Sequence, residues 1–277
     1  MHNITIENSN PRLIDEALLN EPIKNTFRLS WEFITLNKKF TLMAMGIFTL
    51  LHLLGTIPAL AVIFMVISGV FGLAIQIYIG RVFYQTQTIQ SYIKEIEEST
   101  IEKLSNRTFA PAFGAYMGWI VLLLAFVFLF STLLGMTGLM NEGMSENDLV
   151  TAMFTVAFPI LTALLILSYV QPLVHANITL SKDFKEGFRT VFSIFSIKLW
   201  RSAWNKSYFN YVAILGTITL SIMLVIFLLL ETIGSTTGLS LLTTIILLGS
   251  IYIFMVVMAV GSMMAKRVVE QRLMQTS

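Results

Sequence analysis

The residues of this chain that could carry chemistry are few, and their spacing keeps them apart. His2, His52 and His175 are its three histidines. His2 stands in the polar stretch MHNITIENSN, while His52 and His175 fall near opposite ends of apolar runs, so the three cannot share a metal ion. There is no cysteine, which removes disulfides, thiolate nucleophiles and cysteine metal sites together. Serines are plentiful, yet none sits in a Gly-x-Ser-x-Gly elbow, and no phosphate-cradling glycine loop occurs. Gln76 and Asn210 are the polar candidates inside apolar runs, Gln76 being placed for a hydrogen bond between helices. The spans hold no Asp, Glu, Lys or Arg, the groups that proton relays and ion-coupled transporters bury at depth. The sequence therefore nominates no catalytic residue, no metal ligand and no cofactor, and it reads as a non-enzymatic protein.

The elements that hold these positions follow from the run Phe40 to Gly80, which contains no charged side chain. As one helix it would be about 60 Å long, twice the roughly 30 Å of a bilayer's hydrocarbon core. The sequence Gly55-Thr56-Ile57-Pro58 divides it, since Gly stops a helix readily and Pro is tolerated in the first turn of the next. Over the whole chain 56% of residues are hydrophobic and 12% charged, against about 25% charged in a soluble domain. The missing charged surface is most simply facing lipid. The expected fold is all-α: a polytopic membrane helical bundle of six transmembrane helices with amphipathic cytoplasmic helices. The spans are placed at about 40–54, 58–80, 112–136, 149–174, 208–230 and 241–265. Together they form a membrane domain over 40–265, preceded by an N-terminal tail and amphipathic helices over 1–39. A basic tail covers 266–277.

The N-terminus has neither a basic n-region nor an apolar h-region, so the first span is expected to act as an uncleaved anchor. Residues 1–10 read as a disordered tail, with Asn10 and Pro11 opening a short helix. Pro159 is expected to kink the fourth span. The loop Thr137 to Asp148 carries Glu142, Glu146 and Asp148 and no base. All 18 Lys and Arg residues fall in the N-terminal segment, between spans two and three, between spans four and five, and in the tail. The positive-inside rule then puts both termini in the cytoplasm. On that topology Asn3, Asn106 and Asn177, which begin N-x-T triplets, all face the cytoplasm.

Three amphipathic stretches stand outside the spans. Ile23, Phe27, Trp31 and Ile34 recur at helical spacing beside Lys24 and Arg28, which suits either a membrane interface or packing on other cytosolic segments. Arg81 to Leu104 is expected to continue the second span as a solvated helix bearing Glu95, Glu97, Glu98 and Glu102. Asp183 and Glu186 have capping-box spacing and open a helix running to Trp204. Its bases are Lys185, Arg189, Lys198 and Arg201, and Trp200 and Trp204 suit the headgroup level. Lys24, Arg28, Lys185, Arg189, Lys198 and Arg201 are thus candidate contacts to anionic lipid. A competing reading packs the 183–204 helix against the acidic face of Arg81 to Leu104. Ala110, Gly114 and Gly118, and Gly261 with Ala265, form small-residue series for close helix packing, within the bundle or at a homodimer seam. Gly69 and Gly72 read the same way.

The spacing of Ile23-Lys24-x-x-Phe27-Arg28-x-x-Trp31 recurs in Phe184-Lys185-x-x-Phe188-Arg189-x-x-Phe192, each time before a helical hairpin, as a duplicated unit would give. A basic-aromatic helix over Ile23 to Asn37 running straight into the first uncharged span, and recurring at Phe184 to Trp204, resembles the YciC-like bacterial six-span membrane proteins of unknown function. That resemblance implies a bacterial inner-membrane location. The net charge of +2 is too small to point to nucleic acid. The expected partners are membrane lipid and a protein met through the cytoplasmic helices. The expected role is to organise the membrane or assist a complex, with a permease for an apolar or lipid-like substrate as the alternative.

Overall fold

The structure is a computed structural model that describes residues 12–19, 21–136, 154–155, 158–237 and 240–276. The chain is helical, with no strand among the described residues. In chain order the helices are α1 Leu13–Leu19, α2 Pro22–Leu36, α3 Lys38–Gly55, α4 Ala61–Gln85 and α5 Ile89–Glu97. They continue with α6 Ile101–Met136, α7 Phe158–Leu180 and α8 Phe184–Val191. A 3-10 turn over Phe192–Phe195 leads to α9 Ile197–Ala203, α10 Lys206–Thr237 and α11 Ser240–Thr276. His2, the Asn10–Pro11 cap, the acidic residues Glu142, Glu146 and Asp148, and the start of the fourth predicted span lie outside the described residues.

Five helices (α4, α6, α7, α10 and α11) are long and apolar enough to cross a membrane, and α2 with α3, bent by 91° to each other, makes a sixth if the pair is one span. α3 alone, at 18 residues, is about 27 Å long, close to the roughly 30 Å needed. It packs along α4 as the other arm of a hairpin. α4 and α11 form the centre: α4 touches α3, α6, α7 and α11, and α11 also carries α2, α3, α7 and α10. Half of α4's most apolar window (50%) is buried, against 11% for α10, which makes α10 the helix most open to its surroundings.

Burial is concentrated at one end. Val70 to Phe83 of α4, Leu104 to Ala115 of α6, Val170 to Ile178 of α7, Tyr208 to Leu215 of α10 and Tyr252 to Ala265 of α11 supply the core. Toward the other end Val62, Ile63, Leu124, Phe128, Leu165 and Leu224 are exposed. So large an apolar surface is untenable in water and defines the belt that meets lipid. The packed end also holds the short helices and the described bases, so we call it the basic end.

Several local expectations are corrected. α4 does not run on to Leu104: it stops at Gln85, and Thr88 caps a separate α5, its hydroxyl accepting from Ser91 N while Ser91 Oγ accepts from Thr88 N. A second break at Glu98–Thr100 lets α6 begin at Ile101, eleven residues before the predicted third span. α2 buries Thr26, Leu29, Ser30 and Phe33 most fully, while Ile23, Phe27 and Ile34 of the predicted stripe pack half-buried against the same core and Trp31 is left 58% exposed. Thr26 and Ser30 can enter the core because their hydroxyls bond to Pro22 O and Thr26 O of their own helix. Pro58 lies in the α3–α4 turn, not in α4. Pro159 is the second described residue of α7, so the expected kink at it lies at the edge of the described residues, and Pro172 is the proline inside the described helix. The segment from Lys266 continues α11.

The termini of the described chain are tied together at the basic end. Arg267 donates to both carboxylate oxygens of Asp15, from Nε at 2.6 Å and from Nη2 at 3.1 Å, and Gln271 Nε2 adds a third bond at 3.0 Å. Burial raises the Asp15 carboxyl, but these hydrogen bonds and the charges of Arg267 and Arg12 outweigh it and hold the group below its ordinary value. A depressed carboxyl pKa stabilises the fold fully above the unfolded value of about 3.9 and loses that contribution as pH falls through the folded value. Asp15→Asn is therefore expected to cost about 2 kcal/mol at neutral pH, as for hydrogen bonds to charged groups. It should also flatten the loss of melting temperature below about pH 4. Identical acid profiles for the two proteins in detergent would refute this role.

Candidate functional site

The predicted lipid-contact bases sit on three short helices held against the packed end. Asp183 caps α8 as expected, its carboxylate accepting from Glu186 N at 2.8 Å, but Glu186 Oε2 reaches back to Lys182 N at 2.7 Å instead of closing on Asp183. The predicted continuous helix to Trp204 is broken twice: α8 ends at Val191, and Ser196 adopts an extended backbone after the 3-10 turn before α9. Close contact with α6 accounts for its position. A Cβ on Gly114 would lie 2.8 Å from the Phe184 carbonyl carbon, one on Gly118 2.9 Å from Phe188 O, and one on Gly187 3.0 Å from the Pro111 carbonyl carbon. Gly114 and Gly118 thus receive α8, not another long span. The competing packing of this segment on Glu95, Glu97, Glu98 and Glu102 does not occur as ion pairing: Glu98 pairs with Lys94 and Lys103, and no ion pair joins these acids to α8 or α9 among the described residues.

With one face of α8 committed to α6, Lys185 and Arg189 point outward, as do Lys198 and Arg201 on α9. Lys24 and Arg28 are exposed on α2, where Lys24 pairs with Glu21 at 2.7 Å. Arg28, Lys185, Arg189, Lys198 and Arg201 make no ion pair among the described residues.

A base that sequence reasoning passed over is fully engaged. Arg81, near the end of α4, donates from Nε to Thr179 O at 2.8 Å, from Nη1 to Arg107 O at 2.6 Å, and from Nη2 to Ser181 O. It borders a polar cavity of about 530 Å³ with Tyr78, Gln85, Ser91, Glu95 and Arg107. The signal for it was present: Pro111 has no N–H and so leaves Arg107 O, four residues earlier, without a helical donor.

A different cavity of about 400 Å³ opens between α7, α10 and α11, with Gly261 and Ala265 among its lining. Beside it Trp200, Trp204, Lys206 and Phe209 line a further hollow of about 510 Å³, and Tyr169 borders both. Tyr169 is pinned by its hydroxyl to Ala203 O at 2.7 Å and receives Tyr208 Oη on its own carbonyl at 2.8 Å. Trp200 Nε1 donates to Ile194 O at 2.8 Å.

The remaining polar candidates do not converge. His52 is exposed, and His175 is buried with Nε2 lacking a partner. Gln76 is half-buried and makes no interhelical hydrogen bond among the described residues, and Asn210 is exposed. Asn177 Oδ1 accepts from Lys266 Nζ at 2.8 Å. No group of three His, Asp or Glu side chains suited to a metal stands together among the described residues.

A helical bundle with a packed basic end and a wide apolar belt defines a polytopic, all-α integral membrane protein. No family model matches the chain, and no curated protein or solved structure matches it either.

Proposed function

We propose that the protein is a non-enzymatic membrane component that organises the surrounding bilayer or assists a partner complex through its basic end, facing the cytoplasm of a bacterial inner membrane. The one-sided distribution of its bases supports a cytoplasmic basic end, and the resemblance of its layout to YciC-like proteins suggests the inner membrane. The observation that carries the proposal is the set of exposed bases without ion pairs among the described residues, Arg28 on α2 and Lys185, Arg189, Lys198 and Arg201 on α8 and α9, helices anchored by packing. Anchored cations at headgroup level gain about 1 kcal/mol each from anionic lipid, and the same surface suits an acidic partner protein.

A variant with Lys185, Arg189, Lys198 and Arg201 changed to Gln tests this. Wild type purified from native membranes is expected to carry anionic lipid and a defined partner protein. The variant should insert and melt normally yet lose most of both. Unchanged co-purifying lipid and protein would overturn the proposal. The second reading, a permease for an apolar or lipid-like substrate, is favoured by one observation, the cleft between α7, α10 and α11.

A further inference from the structure

We propose that this cleft seats one anionic phospholipid, its headgroup at Lys206 and an acyl chain lying along α10. The proposal takes its site from the permease reading but concerns binding, and it stands whether or not the lipid is moved. The cleft is floored by small residues, Gly261 and Ala265, and walled by Leu165, Leu215, Gly216 and Leu220. Such a trough at the lipid belt is filled by hydrocarbon more readily than by water. α10 packs along α11 and touches α2. It meets α7 where Tyr208 and Phe209 stand against Tyr169, and past that contact its side toward α7 borders the cleft, where a chain can enter from the bilayer.

The mouth has the chemistry of a headgroup. Lys206 is exposed and makes no hydrogen bond or ion pair among the described residues. Asn205 lines the same hollow; its Oδ1 is used by Ser207 N, and its buried Nδ2 has no partner. A phosphate satisfies a cation and an unspent amide donor together, whereas a neutral apolar guest satisfies neither. Trp204 supplies an amphipathic ring of the kind that sits at the bilayer surface, and Phe209 adds an apolar wall beside it. The dimensions agree: α10 from Lys206 to Leu220 covers about 21 Å, more than one leaflet of a hydrocarbon core roughly 30 Å thick.

The test is native mass spectrometry of the full-length protein in detergent, titrated with dioleoyl phosphatidylglycerol or dioleoyl phosphatidylcholine. The first phosphatidylglycerol should bind about fivefold more tightly than phosphatidylcholine, the equivalent of about 1 kcal/mol for one base. Lys206→Gln should erase that preference. Gly216→Phe, at a position where an added Cβ meets nothing within 4 Å, should block the trough and remove the tight site while leaving the melting temperature unchanged. The paired variant Lys185→Gln, Arg189→Gln should keep it. Equal affinity for the two lipids, or a tight site that survives Gly216→Phe, overturns the proposal. Loss of the preference in the Lys185/Arg189 variant but not in Lys206→Gln also overturns it, by moving the lipid to the α8 surface and leaving the proposed role of the basic end intact.

Discussion

Gly114→Leu is expected to abolish the folded protein in detergent, and even Gly114→Ala should be severely destabilising. The added carbon would sit 2.8 Å from the Phe184 carbonyl carbon, and what stands there is backbone rather than a flexible side chain. Overpacking a core costs typically 1–3 kcal/mol when side chains can shift. Here α8 itself would have to move. Gly187 meets Pro111 just as closely from the other side, and Gly118 meets Phe188, so displacement at one point opens the whole crossing. A loss of about 5 kcal/mol, comparable to the total stability of many proteins, is the scale to expect. Gly135→Leu, at a position with nothing within 4 Å, serves as the matched control and should melt like wild type. Fluorescence-detected size exclusion and thermal melts read both. A Gly114→Leu protein that melts normally but turns from dimer to monomer would show the glycines to be a seam between copies instead.

How much of this was legible in the residues depends on what each element is stabilised by. The uncharged run from Phe40 to Gly80 announces membrane helices because lipid contact is a matter of composition, and the Asp183 cap announces α8 because the bond to Glu186 N is local. The helix break at Ser196 was not legible: Phe184, Phe188, Val191, Phe195 and Leu199 keep helical spacing straight through it. What sets α8 in place is the approach of Gly187 to Pro111, a contact with residues more than seventy positions away. α2 was legible only in part, for a related reason. Its Ile23–Ile34 stripe suited either an interface or packing and is half-buried apart from Trp31, but the most deeply buried positions include Thr26 and Ser30, which approach their neighbours tightly and satisfy their hydroxyls on their own helix. The cleft beside Gly261 was invisible in the same way. Small residues at helical spacing predict close packing, and here Gly261 meets Leu215 on one side and lines open space on another.

Arg81→Leu is the other substitution expected to have a large effect, and its size follows from what the guanidinium satisfies. α7 ends at Leu180, so Thr179 O is one of the last carbonyls of a helix and has no donor within it. Ser181 O lies just beyond the same end. Arg107 O is orphaned by Pro111 in the middle of α6. One fork from α4 reaches all three and so ties α4, α6 and α7 together. Thr179 O and Ser181 O are the less exposed pair, and each unsatisfied buried acceptor costs about 1–3 kcal/mol, so Arg81→Leu should cost about 4 kcal/mol. Arg81→Lys should recover no more than half, since an ammonium is a point donor and cannot span three carbonyls in a plane. The origin of the third bond gives a sharper test. Pro111→Ala restores an N–H to Arg107 O from within α6, making that part of Arg81's role redundant. Denaturant unfolding of both single variants and the double should then show a coupling of about 1 kcal/mol, with Pro111→Ala softening the loss caused by Arg81→Leu. Strict additivity would mean that Arg81 acts through α7 alone and that the proline's orphaned carbonyl is served by water at the basic end.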